Sequence, residues 1–190
     1  MYKGYEFECN GGSLSQEQNE YFIDLLEELK PTNICELGCG QSTRIFKKYC
    51  EDNNARLLSV EHDMNYVQHK NTALLPFKVG KFMDYEYSNF YVGFEKLISN
   101  YDGLFDFILI DGPIGTMDYL KYSRIQVIDF ILFNKITDTC AILIHDTERL
   151  GERNTIAELE KLLKNKGYSF EKKTITDSIG RELTSYIIKK

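Results

Sequence analysis

Asn33–Thr43 reads NICELGCGQST, a short apolar run from Ile34 to Leu37, a turn with glycines at 38 and 40, and then the start of an amphipathic segment. Strand, glycine turn and helix in that order form the unit from which parallel α/β sheets are built, and the turn lies where such open sheets bind ligands. Glycine lets the backbone approach a ligand that any Cβ would obstruct. A dinucleotide fingerprint would need a third glycine at position 43, where the chain has Thr43, and no GxxxxGK phosphate loop occurs. Glu36 at the strand end opposes a bound phosphate and complements a cation, such as an ammonium or, at longer range, a sulfonium.

Working outward, the apolar spacing of Tyr21, Phe22, Leu25, Leu26 and Leu29 predicts a helix over 16–29. Ser15 and Gln18 form its capping box, and Pro31 stops it. Strands are expected at 34–37, 57–61, 77–82, 105–110, 140–145, 168–176 and 183–188. Helices are expected at 43–51, 66–74, 90–99, 118–133 and 155–166. Strand followed by helix, repeated five times, describes a mostly parallel sheet covered on both faces. The DSIGRE turn around Ser178 to Gly180 makes the last two strands an antiparallel hairpin. The expectation is a doubly wound, Rossmann-like α/β fold in one domain over 1–190.

The net charge of −6 and the scattered Lys and Arg residues exclude a phosphate-backbone footprint, so nucleic acid is not expected as a partner. No apolar run is long enough to span a bilayer, and the N-terminus lacks a signal core. Five cysteines without a CxxC pair read as reduced thiols, and a cytoplasmic location is expected.

The second strand ends at Glu61, twenty-one residues after Gly40, the spacing at which an acidic side chain meets ribose hydroxyls in this architecture. The fourth and fifth strands, FDFILIDGP and CAILIHDTER, end in Asp111 and in His145, Asp146 and Arg149. Neighbouring parallel strands bring these ends together. His145 is the best candidate base, because its ordinary pKa of about 6.5 leaves it largely neutral at pH 7. Asp146 or Asp111 could orient it or act as the base directly. Alternatively, Asp111 and Asp146 could share a divalent cation such as magnesium.

ELGCGQST followed by SVEHDMNY resembles the class I methyltransferases that use S-adenosylmethionine, in particular a branch of small O-methyltransferases; the likeness runs from Asn33 to Arg149. The resemblance implies a seven-stranded sheet in the order 3-2-1-4-5-7-6. It places Glu36, Gly38, Gly40, Ser42 and Thr43 on the cofactor loop, Glu61 on the ribose, and Met83 or Asp84 near the adenine. His62, beside Glu61, is counted with these candidates, although His62 and His69 are both expected to be exposed. Some enzymes of this kind hold a metal at the two aspartates and follow the second with Asn, where this chain has Thr147. IDGPIG, then Tyr122, Ser123 and Arg124, then HDTER also resembles the plant enzymes that O-methylate glucuronic acid side chains of xylan, and this likeness implies that Arg124 and Arg149 bind the acceptor, guanidinium groups being suited to bidentate recognition of a carboxylate. The acceptor so implied is a small polar molecule or a saccharide, and the segment 1–31 would cap its side of the site. An aminopropyltransferase and a non-catalytic cofactor-binding protein of the same fold are the competing expectations.

Overall fold

A computed structural model describes residues 1–9 and 13–190. Helix α1 (Gln16–Leu29) begins with the expected capping box, Ser15 accepting from the Gln18 backbone and the Gln18 side chain accepting from the Ser15 backbone. Next come β1 (Asn33–Leu37), α2 (Gln41–Asn53) and β2 (Arg56–Glu61). A 3-10 turn at Met64–Tyr66 leads to the short β3 (Thr72–Leu74), β4 (Phe77–Phe82), β5 (Tyr85–Tyr91) and α3 (Phe94–Ser99). The chain continues through β6 (Phe105–Ile110), α4 (Val127–Leu132), β7 (Ile136–His145) and α5 (Leu150–Asn165), and finishes with β8 (Ser169–Thr176) and β9 (Glu182–Lys189).

Seven strands form one sheet in the order β3-β2-β1-β6-β7-β9-β8. Counted along that sheet, the order is 3-2-1-4-5-7-6, as the resemblance implies. The first five strands run parallel and β9 pairs antiparallel with both β7 and β8. Strand alternation divides the core into two layers. Cys35, Leu37, Ile108, Ile110, Ile142 and Ile144 face the cluster that includes residues of α3, α4 and α5. Ile34, Phe107, Leu109, Ala141 and Leu143 face α1 and α2, where the rings of Phe22, Phe46 and Phe107 meet with centroids 4.9 to 5.9 Å apart.

Four expectations fail between β2 and β7. The third strand of the main sheet is β3, inside the stretch expected to be a helix over 66–74. The run at 77–82 is a strand, but it pairs with β5 in a separate two-stranded sheet. The helix expected over 90–99 starts only at Phe94, and the one expected over 118–133 contracts to α4. Strand then helix is therefore not repeated five times. A three-residue strand is too short to display a period, and its extended state comes from pairing with Ser59 to Glu61.

Candidate active site

The carboxyl ends of β1, β2, β6 and β7 open into one cleft of about 540 Å³, a size suited to a small-molecule ligand. Its walls include Gly38, Cys39, Glu61, His62, Tyr91, Asp111, Arg124, Asp146, Arg149 and Arg181. Gly38 is required by geometry: φ is +89°, and a Cβ there would lie 2.7 to 2.9 Å from the backbone of Asp111 and Gly112. The turns after β1 and β6 are thus pressed backbone to backbone. At Gly40 a Cβ would meet nothing within 4 Å, so protein packing does not demand glycine there.

Glu36 sits behind this turn and off the cleft wall. Its fully buried carboxylate accepts hydrogen bonds from the hydroxyls of Ser42, Thr43 and Ser59. Thr43 Oγ1 in turn accepts the Gly40 N–H at 2.9 Å, which wires the turn to the start of α2. Burial pushes the Glu36 carboxyl up to about 7; the three hydroxyls oppose that rise and Asp111 adds to it. Direct contact between Glu36 and a ligand cation, as the sequence suggested, gives way to a role in shaping the loop. Ser42 and Thr43 serve the same inner network.

Glu61 is on the cleft wall. Its carboxylate accepts the backbone N–H groups of Cys39 at 2.8 Å, His62 at 2.6 Å and Asp63 at 2.9 Å. Three fixed donors hold its orientation, two on Oε1 and one on Oε2, and leave a lone pair of Oε2 for a ligand hydroxyl. His62 and His69 are half-buried, contrary to the expectation of exposure. His62 lies edge-on to Phe77, centroids 4.7 Å apart, and His69 Nε2 is 2.8 Å from Ser59 Oγ. Met83 and Asp84 occupy the exposed β4–β5 turn and do not line the cleft, because the sheet's third strand ended at Leu74.

At the other end, Asp111 faces the cleft with its side chain 24 % exposed, and its Oδ1 lies 3.0 Å from His145 Nδ1. His145 is almost wholly buried behind it. Burial raises the Asp111 carboxyl, but the nearby His145, Arg124 and Arg149 outweigh that and bring it below the ordinary aspartate value. Arg124 is an internal residue, only 3 % exposed, and not a surface charge. Its guanidinium reaches the His145 carbonyl at 2.6 Å and Asp146 Oδ2 at 2.9 Å, with Asp111 Oδ1 at 3.4 Å and Glu152 Oε1 at 3.7 Å. Arg149 precedes α5 and pairs with Asp146 Oδ2 at 2.7 Å.

One ligand atom from each of Asp111, His145 and Asp146 falls within 4.8 Å of the others, the spacing of a metal site. The surroundings do not fit a divalent cation, because the same Asp146 oxygen already receives two guanidinium groups. Arg181 and Tyr91 are among the cleft-wall residues outside the sequence candidates. Arg181 lies in the β8–β9 turn and pairs with Asp177 at 2.9 Å. Tyr91 closes the cleft beneath Gly112, its hydroxyl buried with no hydrogen-bond partner among the described residues. Tyr91 falls in the stretch 90–99 expected to be a helix, whereas it is the last residue of β5.

No family model and no curated protein sequence matches the chain. Solved structures do match. The O-methyltransferase from Bacillus cereus in complex with S-adenosylhomocysteine superposes with a TM-score of 0.61 at 14% identity, covering 95% of this chain and 84% of that one. The O-methyltransferase from Streptomyces achromogenes involved in tomaymycin synthesis, in complex with S-adenosylmethionine, gives 0.60 at 10% identity, covering 97% and 92%. A methyltransferase from Podospora anserina bound to S-adenosylhomocysteine gives 0.57 at 14% identity, covering 94% and 81%. The chain shares the fold of these methyltransferases. At such identities the likeness extends to the fold alone, and the chemistry rests on the site itself.

Proposed function

We propose that the chain is an S-adenosylmethionine-dependent methyltransferase that O-methylates a small polar or saccharide acceptor. The observation that carries this reading is a single cleft with the bare-backbone turn at Gly38 to Gly40 and Glu61 on one side and Asp111 on the other. That layout separates a nucleoside-binding end from a reacting end. Likeness in fold to three methyltransferases whose structures contain this cofactor or its product supports it.

Bound in the cleft, S-adenosylmethionine supplies an electrophilic methyl group. Glu61, fixed by three backbone donors, accepts a hydrogen bond from a ribose hydroxyl, a charge-assisted bond contributing roughly 1.5 to 3 kcal/mol. The Gly38 turn lets the ligand lie against backbone. Asp111 is the carboxylate exposed to the cleft and takes the proton of the acceptor hydroxyl. His145 touches Asp111 from behind and is a positioning residue, and Asp146 holds the two arginines. Arg149, the more exposed of that pair at 30 %, is placed to meet an acidic or polyhydroxylated acceptor.

The N-terminal segment 1–31 closes the acceptor side within the same single domain. In support, the Gln18 side chain in α1 donates to the carbonyls of Ile175 and Arg181, tying the helix to the turn that carries the cleft-lining Arg181. A reducing, cytoplasmic setting is part of this reading; the five cysteines are free, with Cys35 and Cys140 buried. No helix among the described residues is long and apolar enough to cross a membrane.

Calorimetry with S-adenosylhomocysteine tests the cofactor site, and micromolar binding is expected. A screen of acceptor pools for transfer of labelled methyl then tests the reaction. Absence of measurable binding to the intact chain would overturn the assignment.

A further inference from the structure

The Asp111, His145 and Asp146 cluster has the donor set and spacing of a cation site. We infer that the guanidinium of Arg124 is the resident cation of that cluster, so that the protein binds no divalent metal there and the cleft works without one.

The first argument is spatial. Arg124 Nη2 stands 2.9 Å from Asp146 Oδ2 and 3.4 Å from Asp111 Oδ1, bridging the two carboxylates a metal would have to bridge. Magnesium demands oxygens at about 2.0 to 2.1 Å in near-octahedral array, and calcium at about 2.3 to 2.6 Å. Neither array can form while the guanidinium lies between the oxygens. The third potential ligand, His145, uses Nδ1 on Asp111 at 3.0 Å.

The second argument is electrostatic. Asp111, Asp146 and Glu152 bring three carboxylates to the cluster, and Arg124 and Arg149 bring two guanidinium groups. A divalent ion would sit within a few ångströms of both arginines, a repulsion that the same carboxylates, already shared, could not offset. Arginine cannot release its proton to make room.

The third argument is that Arg124 is fixed in place. Its φ is +60°, in the left-handed region that side chains other than glycine and asparagine rarely occupy. The surrounding structure holds that conformation: the Arg124 N–H donates to Asn89 Oδ1 at 2.7 Å, and Thr155 Oγ1 donates to the adjoining Ser123 carbonyl at 2.6 Å. The guanidinium also donates to the carbonyls of His145 at 2.6 Å and Pro113 at 3.4 Å. A side chain anchored at five points does not swing aside to admit an ion.

Metal binding is read without turnover, so the result is independent of whether methyl transfer is found. Manganese titrated into the full-length protein and followed by electron paramagnetic resonance should show no stoichiometric site tighter than about 1 mM, with or without S-adenosylhomocysteine. A single site below about 100 μM that disappears in Asp146→Asn would overturn the inference. Arg124→Met supplies the converse: once the guanidinium is gone, manganese should bind the folded variant and raise its melting temperature. A folded Arg124→Met protein that binds no manganese would also overturn it. If that variant does not fold, the wild-type titration decides.

Discussion

His145 Nδ1 lies 3.0 Å from Asp111 Oδ1, and it is the aspartate, not the histidine, that reaches the cleft. The two side chains come from the ends of neighbouring parallel strands, β6 and β7, whose register pairs Ile110 with Ile144 and so sets the following residues side by side. The sequence offered His145 as base on its ordinary pKa alone. Burial and orientation support the proposed order, in which Asp111 is the base and His145 acts through it.

Asp111→Asn should therefore lower kcat by about 100- to 10,000-fold while S-adenosylhomocysteine affinity changes little. His145→Gln should lower kcat less and also move the acid limb of kcat/KM. Asp111 is held below its ordinary value partly by His145, so it stays ionised to unusually low pH. Removing His145 takes away one of those influences, and the limb should shift to higher pH. Profiles of the two proteins across pH 4 to 8 check this, and an unmoved limb would show that His145 does not act through Asp111.

Glu36 predicts a pH dependence of stability. Burial raises its folded pKa to about 7, so the folded protein binds more protons than the unfolded chain between the ordinary glutamate value and 7. Stability should consequently fall as pH rises through that window. Glu36→Gln cannot ionise, and its melting temperature should fall less steeply between pH 4.5 and 7.5 than that of wild type. Parallel curves for the two proteins would contradict the raised pKa.

How much of this was legible in the sequence differs by region. Alternation and capping marked α1 and β6 at their observed limits, because those signals lie within a few residues of each other. Between β2 and α3 the sequence misled at β3, which lies in a stretch of accidental helical spacing, whereas β4 was read as a strand but pairs with β5 outside the main sheet. In the site, strand-end carboxylates were visible, since a buried strand that ends in an acid points it at the crevice. The inner network of Glu36 was not, because Ser42, Thr43 and Ser59 read as ordinary helix and strand residues. Nor could Arg124 be recognised as internal, since its acceptors come from residues 111, 113, 145, 146 and 152.

Asp129 predicts a stabilising substitution. Both carboxylate oxygens are buried with no hydrogen-bond partner among the described residues, and burial together with Glu95 pushes the pKa up to about 7. At pH 8 the folded protein must hold an unpaired buried charge. Asp129→Asn should raise stability there by roughly 2 kcal/mol, about 4–8 °C in melting temperature. At pH 4.5, where the aspartate is already neutral, the gain should vanish. Thermal melts at the two pH values check it, and an equal gain at both would place the effect outside ionisation.

Gly38 and Gly40 give a test that separates fold from ligand. Gly38→Ala introduces a Cβ at 2.7 to 2.9 Å from backbone that cannot yield, at a φ of +89°, and should cost about 1 to 3 kcal/mol. Its loss of S-adenosylhomocysteine binding would be uninformative alone, since the turn itself is disturbed. Gly40→Ala is different, because its backbone is extended at φ −179° and the new Cβ meets no protein atom within 4 Å. Melting temperature should stay within a degree or two, while affinity for S-adenosylhomocysteine falls by tenfold or more if the ligand lies against that bare backbone, tenfold being about 1.4 kcal/mol. Calorimetry on the two variants beside wild type reads the contrast, and unchanged affinity in Gly40→Ala would remove Gly40 from the ligand-binding surface.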